Sequence, residues 1–120
     1  MTPRIRSDSL YGTLTVLVLR ALASGPLHGL AIARRIESAS GDVLQVEEGA
    51  LYPALHRLER DGLLEASWGR SESNRRARFY SLTPAGRRHL EREVERWTEH
   101  AGAVARVLGV ALDPPAPEAG

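Results

Sequence analysis

A regular apolar pattern near the C-terminal end sets the strictest limit on the fold of this chain. Thr83 followed by Pro84 begins a helix with an N-cap and a proline at its first position, and the helix runs to Leu108. At ~1.5 Å per residue it would extend about 37 Å, more than a small domain can bury, which predicts pairing with its copy in a second subunit. Its apolar residues recur every four and three positions, as in a coiled-coil seam, at Leu90, Val94, Trp97, Ala101, Val104 and Leu108.

The N-terminal part of the chain predicts a helix over residues 10–23 that is apolar on nearly every side. Such a helix is buried on more than one face, which again indicates contact with a partner subunit. The segment Ser24-Gly25-Pro26 ends it. Its apolar residues are Leu10, Leu14, Leu17, Val18, Ala21 and Leu22 on one face and Val16, Leu19 and Ala23 on the others.

A shorter helix follows from about Leu27 to Ser38, with Ile32 and Ile36 one turn apart on its apolar side. The pair Gly41-Asp42 breaks the chain, and residues 43–46 form a short extended link. Only a short link therefore separates the second helix from the third.

The third helix is delimited by a proline and a glycine. Proline lacks an N–H and clashes with the carbonyl four residues back, so Pro53 must lie among the first four helical positions and the helix begins near Gly49. Gly62 lies where a left-handed C-terminal cap belongs. The apolar stripe of this helix consists of Leu51, Leu55 and Leu58.

Beyond this helix the apolar period changes to that of a strand. Leu64, Ala66 and Trp68 alternate with polar residues and glycine, which predicts a first strand with Trp68 as hydrophobic support. A second strand runs from Arg76 to Leu82, and the polar residues 69–75 join the two strands as a hairpin.

The order helix, helix, helix, hairpin, helix predicts a mainly α fold with a small β-hairpin, namely a winged helix-turn-helix with a long C-terminal dimerisation helix. The 120 residues fit one ordinary domain. We expect a flexible N-terminal arm (residues 1–9), a DNA-binding winged helix-turn-helix that includes the N-terminal helix (residues 10–83), the dimerisation helix (residues 84–109) and a disordered proline-rich tail (residues 110–120).

The net charge of the chain is only +1, but the hairpin is strongly basic. All 16 basic residues are arginine, which also fits a GC-rich genome. From Trp68 to Arg78 four arginines stand against Glu72 alone, and such a loop can follow phosphates or enter a narrow minor groove. Arg78 could instead pair with Glu65 across the hairpin. The candidate DNA contacts of the hairpin are Arg70, Asn74, Arg75, Arg76 and Arg78.

Three residues of the third helix, Tyr52, His56 and Arg57, lie away from its apolar stripe or at its border. In a winged helix this face enters the major groove, where arginine or histidine can meet a guanine edge and tyrosine a phosphate. The alternative is a solvated helix face with Tyr52 against the core. Arg4 and Arg6 are interpreted as charge on the terminal arm rather than as contacts to the flank of a duplex.

Several function classes are excluded by what the chain lacks. The sequence has no cysteine, which rules out disulfides, thiolate zinc sites and cysteine nucleophiles. His89 and Glu93 are one turn apart, but no third metal ligand lies near them in the sequence. The catalytic and phosphate-binding motifs G-x-S-x-G, H-E-x-x-H and glycine-rich loops are absent as well. We expect no enzyme, no cofactor and no metal site.

The N-terminus resembles a signal peptide only superficially, because Arg20 ends the apolar run from Leu14 to Leu19. No stretch approaches the ~18 apolar residues of a membrane span. We expect a cytoplasmic protein without membrane contact.

Four stretches closely resemble the PadR family of bacterial transcriptional regulators, in the family's order and at its spacing. They are GPLHG at residues 25–29, EGALYPALHRLE at residues 48–59, DGLL at residues 61–64 and RARFYSLTPAG at residues 76–86. The resemblance covers about residues 10–108. It implies a homodimeric DNA-binding repressor of the compact subclass, whose dimer exchanges the single C-terminal helix with the N-terminal helix.

Two positions, Leu30 and Ala50, depart from the family pattern, and a third residue, Trp97, has two interpretations. Leu30 replaces the usual tyrosine and Ala50 a frequent threonine or serine, and each change removes a hydroxyl that could touch phosphate. In multidrug-sensing relatives a tryptophan of the C-terminal helix stacks on flat aromatic ligands at the dimer centre, which suggests Trp97 as an effector contact. The interpretation we favour is that Trp97 packs in the dimer seam.

These observations predict a sequence-specific regulator, a dimeric repressor of double-stranded DNA whose inverted-repeat operator has half-sites ~34–36 Å apart. A flat hydrophobic small molecule could release it. The alternative is a helical dimerisation or adaptor protein that kept the fold and lost a specific operator. Leu30 and Ala50 favour this alternative, and the basic hairpin opposes it.

Overall fold

The computed structural model describes residues 7–112, and the side chains from residue 13 onward. Arg4, Arg6, most of the predicted arm and most of the predicted tail lie outside these residues. The first helix begins at Ser7, three residues before the predicted start. The elements are α1 (Ser7–Ala21), β1 (Leu27–His28), α2 (Gly29–Ala39), α3 (Glu48–Arg60), β2 (Leu64–Arg70), β3 (Arg76–Leu82) and α4 (Pro84–Leu108).

The core lies between α1, α2, α3 and the base of the hairpin. The apolar positions of α1 and the stripe of α3 face each other there, because residues three and four apart share one face of a helix. In the part of α1 whose side chains are described, Val16 and Leu17 are only half-buried, whereas Leu19 is fully buried. The most deeply buried large side chains are Leu14, Val18, Leu19, Leu22, Ile32, Leu51 and Leu55.

A third strand, β1, completes the sheet in the antiparallel order β1-β3-β2. Leu27 pairs with Tyr80 and His28 with Phe79. The prediction that the second helix begins at Leu27 was wrong: the two residues before α2 are extended and cover the free edge of β3. Two residues are too short for a period-two signal, so this strand could not be detected in the sequence.

The start of α3 also differs from the prediction. The helix begins at Glu48, and the amides of Ala50 and Leu51 bond the carbonyl of Glu47. Pro53 is therefore the sixth helical residue rather than one of the first four, and it has no N–H to donate to the Gly49 carbonyl.

The end of α3 and the start of α4 are joined by caps. Gly62 is left-handed at φ 77°, and the Leu63 amide bonds the Leu58 carbonyl at 2.9 Å, as in a Schellman motif. The Thr83 hydroxyl accepts from the Gly86 amide at 3.0 Å and donates to the Gly62 carbonyl at 2.7 Å. The predicted cap at Gly62 and the predicted N-cap at Thr83 are both confirmed, and together they fix α4 against the end of α3.

Most of the α4 seam is uncovered within this single chain. Leu90 is buried, but Val94, Trp97, Val104 and Leu108 are exposed. Among residues 7–112 no helix is long and apolar enough to cross a membrane.

Candidate nucleic-acid interface

The outer face of α3 carries the three residues singled out in the sequence. Tyr52 and His56 are exposed and Arg57 is half-buried, whereas Leu51, Ala54, Leu55 and Leu58 face the core. The placement fits a helix that lies on the body of the domain and presents its outer face to a partner. Ala50, where the family often has a hydroxyl, is half-buried and packs against the core.

Tyr52 connects α3 to the beginning of α2. Its ring lies so close to Gly29 that a Cβ at that position would be 2.8 Å from the Tyr52 hydroxyl oxygen. Gly29 is needed here for the close approach, and the tyrosine hydroxyl is thereby held beside the first residue of α2. Leu30, the next residue, is 46% exposed.

His28 starts α2 and also holds the hairpin loop. Its Nδ1 accepts the Ala31 amide at 3.3 Å, so the neutral ring carries its proton on Nε2. Nε2 lies 3.4 Å from Oε2 of Glu72. A backbone hydrogen bond, and then the His28 side chain, lower the pKa of Glu72 below its usual value. The carboxylate of the loop is thus directed at α2.

Four side chains share one face of the β2–β3 hairpin, which we call the wing. Residues directly opposite each other in antiparallel strands point to the same side, and alternate residues of a strand do likewise. Trp68 is opposite Arg78 and Arg70 is opposite Arg76. These four residues form the wing patch. The patch lies on the side of the hairpin that faces the core, but farther out than the body of the domain extends.

Trp68 is 62% exposed, and the Arg76 guanidinium lies 4.5 Å from the centroid of its ring. This is a cation–π contact. The prediction that Trp68 supports the core was wrong. Alternation assigns Trp68 to the same face as buried Leu64 and Tyr80, but the body of the domain ends before it reaches Trp68.

Arg78 joins the wing patch to α3. Its Nη2 is 2.7 Å from Oε2 of Glu59, and both side chains are partly exposed, so this pair contributes at most about 1 kcal/mol of stability. Strand register places Glu65 opposite Ser81, so the alternative pairing of Arg78 with Glu65 was wrong. A DNA contact by Arg78 stays a prediction.

The wing loop is a tight turn. Asn74 is left-handed at φ 61°, a conformation that asparagine tolerates better than most residues, and its carbonyl accepts from Arg70 at 3.3 Å. Arg70, Arg75 and Arg76 are exposed. Within residues 7–112, none of these three arginines has a carboxylate within ion-pair distance.

Two further predicted features lie on α4. Trp97 is half-exposed and lines a groove of about 310 Å³ together with Val16, Leu17 and Val94. His89 is 3.9 Å from Glu93. In the part of the chain that the structure describes, no three potential metal ligands come together.

Known proteins are similar to this chain in sequence and in fold. The model of the transcriptional regulator PadR-like family matches residues 18–92. An uncharacterized 37.1 kDa protein in transposon TN4556 of Streptomyces fradiae is 46% identical over 89 residues, which is 74% of this chain and 24% of that protein. Transcriptional regulator Rv3488 of Mycobacterium tuberculosis is 41% identical over 73 residues, 61% of this chain and 64% of that protein.

Solved structures of transcriptional regulators are similar to this chain in fold. A PadR family transcriptional regulator of Eggerthella lenta is 31% identical, with a TM-score of 0.69 over 84% of this chain and 86% of that one. A transcriptional regulator of Clostridium thermocellum is 25% identical, with a TM-score of 0.74 over 82% of this chain and 96% of that one. Because the family model spans more than half of the 120 residues, this chain belongs to the PadR-like family of transcriptional regulators, with the winged-helix fold of DNA-binding proteins.

Proposed function

We propose that this protein is a dimeric repressor that binds an inverted-repeat operator through α3 and the wing. The observation that carries the proposal is that the outer face of α3 and the wing patch are adjacent and joined by the Arg78–Glu59 ion pair. In winged helices the third helix enters the major groove. A wing with three arginines that lack carboxylate partners among residues 7–112 suits the neighbouring phosphates.

Each candidate residue has a role that follows from its position. Arg57 and His56 contact base edges, since they lie on the outer face of α3 or at its border. Tyr52, whose hydroxyl lies beside the start of α2, contacts a phosphate. The backbone contacts of the wing are Arg70, Asn74, Arg75, Arg76 and Arg78.

A second copy of the chain would cover the apolar surface that one copy leaves open. The exposed seam of α4 and the half-buried residues Val16 and Leu17 of α1 lie next to each other along the groove at Trp97. A dimer built on α1 and α4 presents two copies of α3 related by a two-fold axis, which requires half-sites of opposite direction about one helical turn apart, ~34–36 Å.

The direct test is fluorescence anisotropy of the labelled duplex upstream of the gene, at salt concentrations from about 50 to about 300 mM, against a scrambled duplex. We expect selective binding of two protomers per duplex that weakens steeply with salt. Equal and weak binding to both duplexes, with no fragment enriched in a genome-wide selection, would instead support the adaptor alternative.

Trp97 carries a second candidate role, the binding of a flat hydrophobic effector. Its half-exposed indole on an apolar groove supports this role. We expect the flat aromatic dye 8-anilinonaphthalene-1-sulfonate to bind at least about tenfold more weakly to the Trp97→Ala protein. DNA and dye should then weaken each other by the same factor. Equal dye affinity in both proteins would leave Trp97 as a packing residue of the seam.

A further inference from the structure

Trp68 is a large side chain that the fold leaves mostly in water. Tryptophan is strongly stabilising when buried, yet this ring is 62% exposed at the outer part of the wing. Its indole N–H has no hydrogen-bond acceptor among residues 7–112. The residue therefore has an apolar surface and a polar donor that are both available to a partner.

The surroundings of Trp68 define the chemistry of that partner. Arg76 stacks on its ring at 4.5 Å, and Arg70 lies on the same face of the hairpin. The nearby carboxylates are engaged elsewhere, because Glu59 bonds Arg78 and Glu72 points at His28. The ring thus sits among guanidinium groups and faces no unpaired acid of the wing, which suits an anionic partner with an apolar edge.

We propose that Trp68 is itself a DNA contact, in which the indole N–H donates to a backbone phosphate oxygen and the exposed ring packs against the adjoining deoxyribose. The proposal deepens the proposed function and rests on DNA binding by the wing. A ring of this kind suits a site that is apolar at one end and polar at the other, and the stacked Arg76 restricts its motion. Because phosphate and sugar are the same at every base pair, the contact adds affinity without sequence preference.

The first test uses the Trp97→Phe protein, in which Trp68 is the sole tryptophan. Acrylamide quenching of its fluorescence is measured with and without a labelled mixed-sequence duplex of about 30 base pairs at about 50 mM salt. The anisotropy of the label reports DNA binding separately. We expect the quenching constant to fall at least about twofold on saturation, because the duplex shields the ring.

The outcomes separate this inference from the function on which it rests. A rise in anisotropy with unchanged quenching overturns the contact by Trp68 and leaves DNA binding in place. A flat anisotropy at every protein concentration overturns both.

A mutant cycle then distinguishes a contact from a positioning role. Trp68→Ala is expected to weaken binding about tenfold to any duplex, since a hydrogen bond to a charged group is lost. Trp68→Phe, which keeps the ring and loses the N–H, should lie in between. If Trp68→Ala has the same effect in the Arg76→Ala protein, the contact is direct. If the effect disappears there, Trp68 only orients Arg76 and the proposal is overturned. An unchanged thermal unfolding curve verifies that each variant is folded.

Discussion

Replacing both Arg75 and Arg76 by alanine is expected to weaken binding to every duplex, specific or not. Each phosphate neutralised by an arginine releases counterions and contributes about 0.9 to the slope of log affinity against log salt. Both side chains are exposed, and neither has a carboxylate partner within residues 7–112, so their charges are available to phosphate. The slope should therefore become flatter by about one to two units for each bound protomer. An unchanged slope would mean that the wing does not neutralise phosphate.

Arg57→Ala is the matched control, since it removes an arginine from α3 instead of the wing. Its side chain is half-buried at the border of the outer face. We expect discrimination at one base position of each half-site to fall by about 1–3 kcal/mol, with other positions retained. Both variants can be compared on a panel of singly substituted duplexes by anisotropy. If Arg57→Ala weakens all duplexes of the panel equally, its assignment to a base is wrong.

The largest effect on stability is expected at Gly86. A Cβ built on this residue would overlap the backbone carbonyl oxygen of Leu63, and a backbone atom cannot move aside as the end of a side chain can. The third residue of α4 would have to shift away from the segment between α3 and β2. Gly86→Ala should lower the free energy of unfolding by about 3 kcal/mol and the melting temperature by about 10–20 °C.

The same helix offers the control. At Gly102 an added Cβ would be in ordinary contact, 3.6 Å from the flexible end of Arg106. Gly102→Ala should therefore be neutral or stabilise the chain by up to about 1 kcal/mol, the usual gain when alanine replaces glycine inside a helix. Urea unfolding of both variants measures the difference. A Gly86→Ala protein as stable as the parent would show that α4 does not pack closely on Leu63.

The sequence determined the elements whose signals are local. Gly62 and Thr83 act through backbone conformation and hydrogen bonds to residues a few positions away, so the end of α3 and the start of α4 could be placed without tertiary information. The order of helices and hairpin, and hence the winged-helix fold, followed from the apolar periods. The predicted start of α3 is one residue too late, because the sequence around Pro53 does not show that the Glu47 carbonyl accepts the amides of Ala50 and Leu51.

Only the tertiary structure decided which residues of the candidate interface meet. The contacts of His28 with Glu72 and of Arg78 with Glu59 join residues 44 and 19 positions apart, and the contact of Tyr52 with Gly29 likewise joins different elements. A periodic pattern states which face of an element a side chain occupies. It does not state how far neighbouring elements extend over that face, which is why Trp68, predicted as hydrophobic support, lies in water beside Arg76.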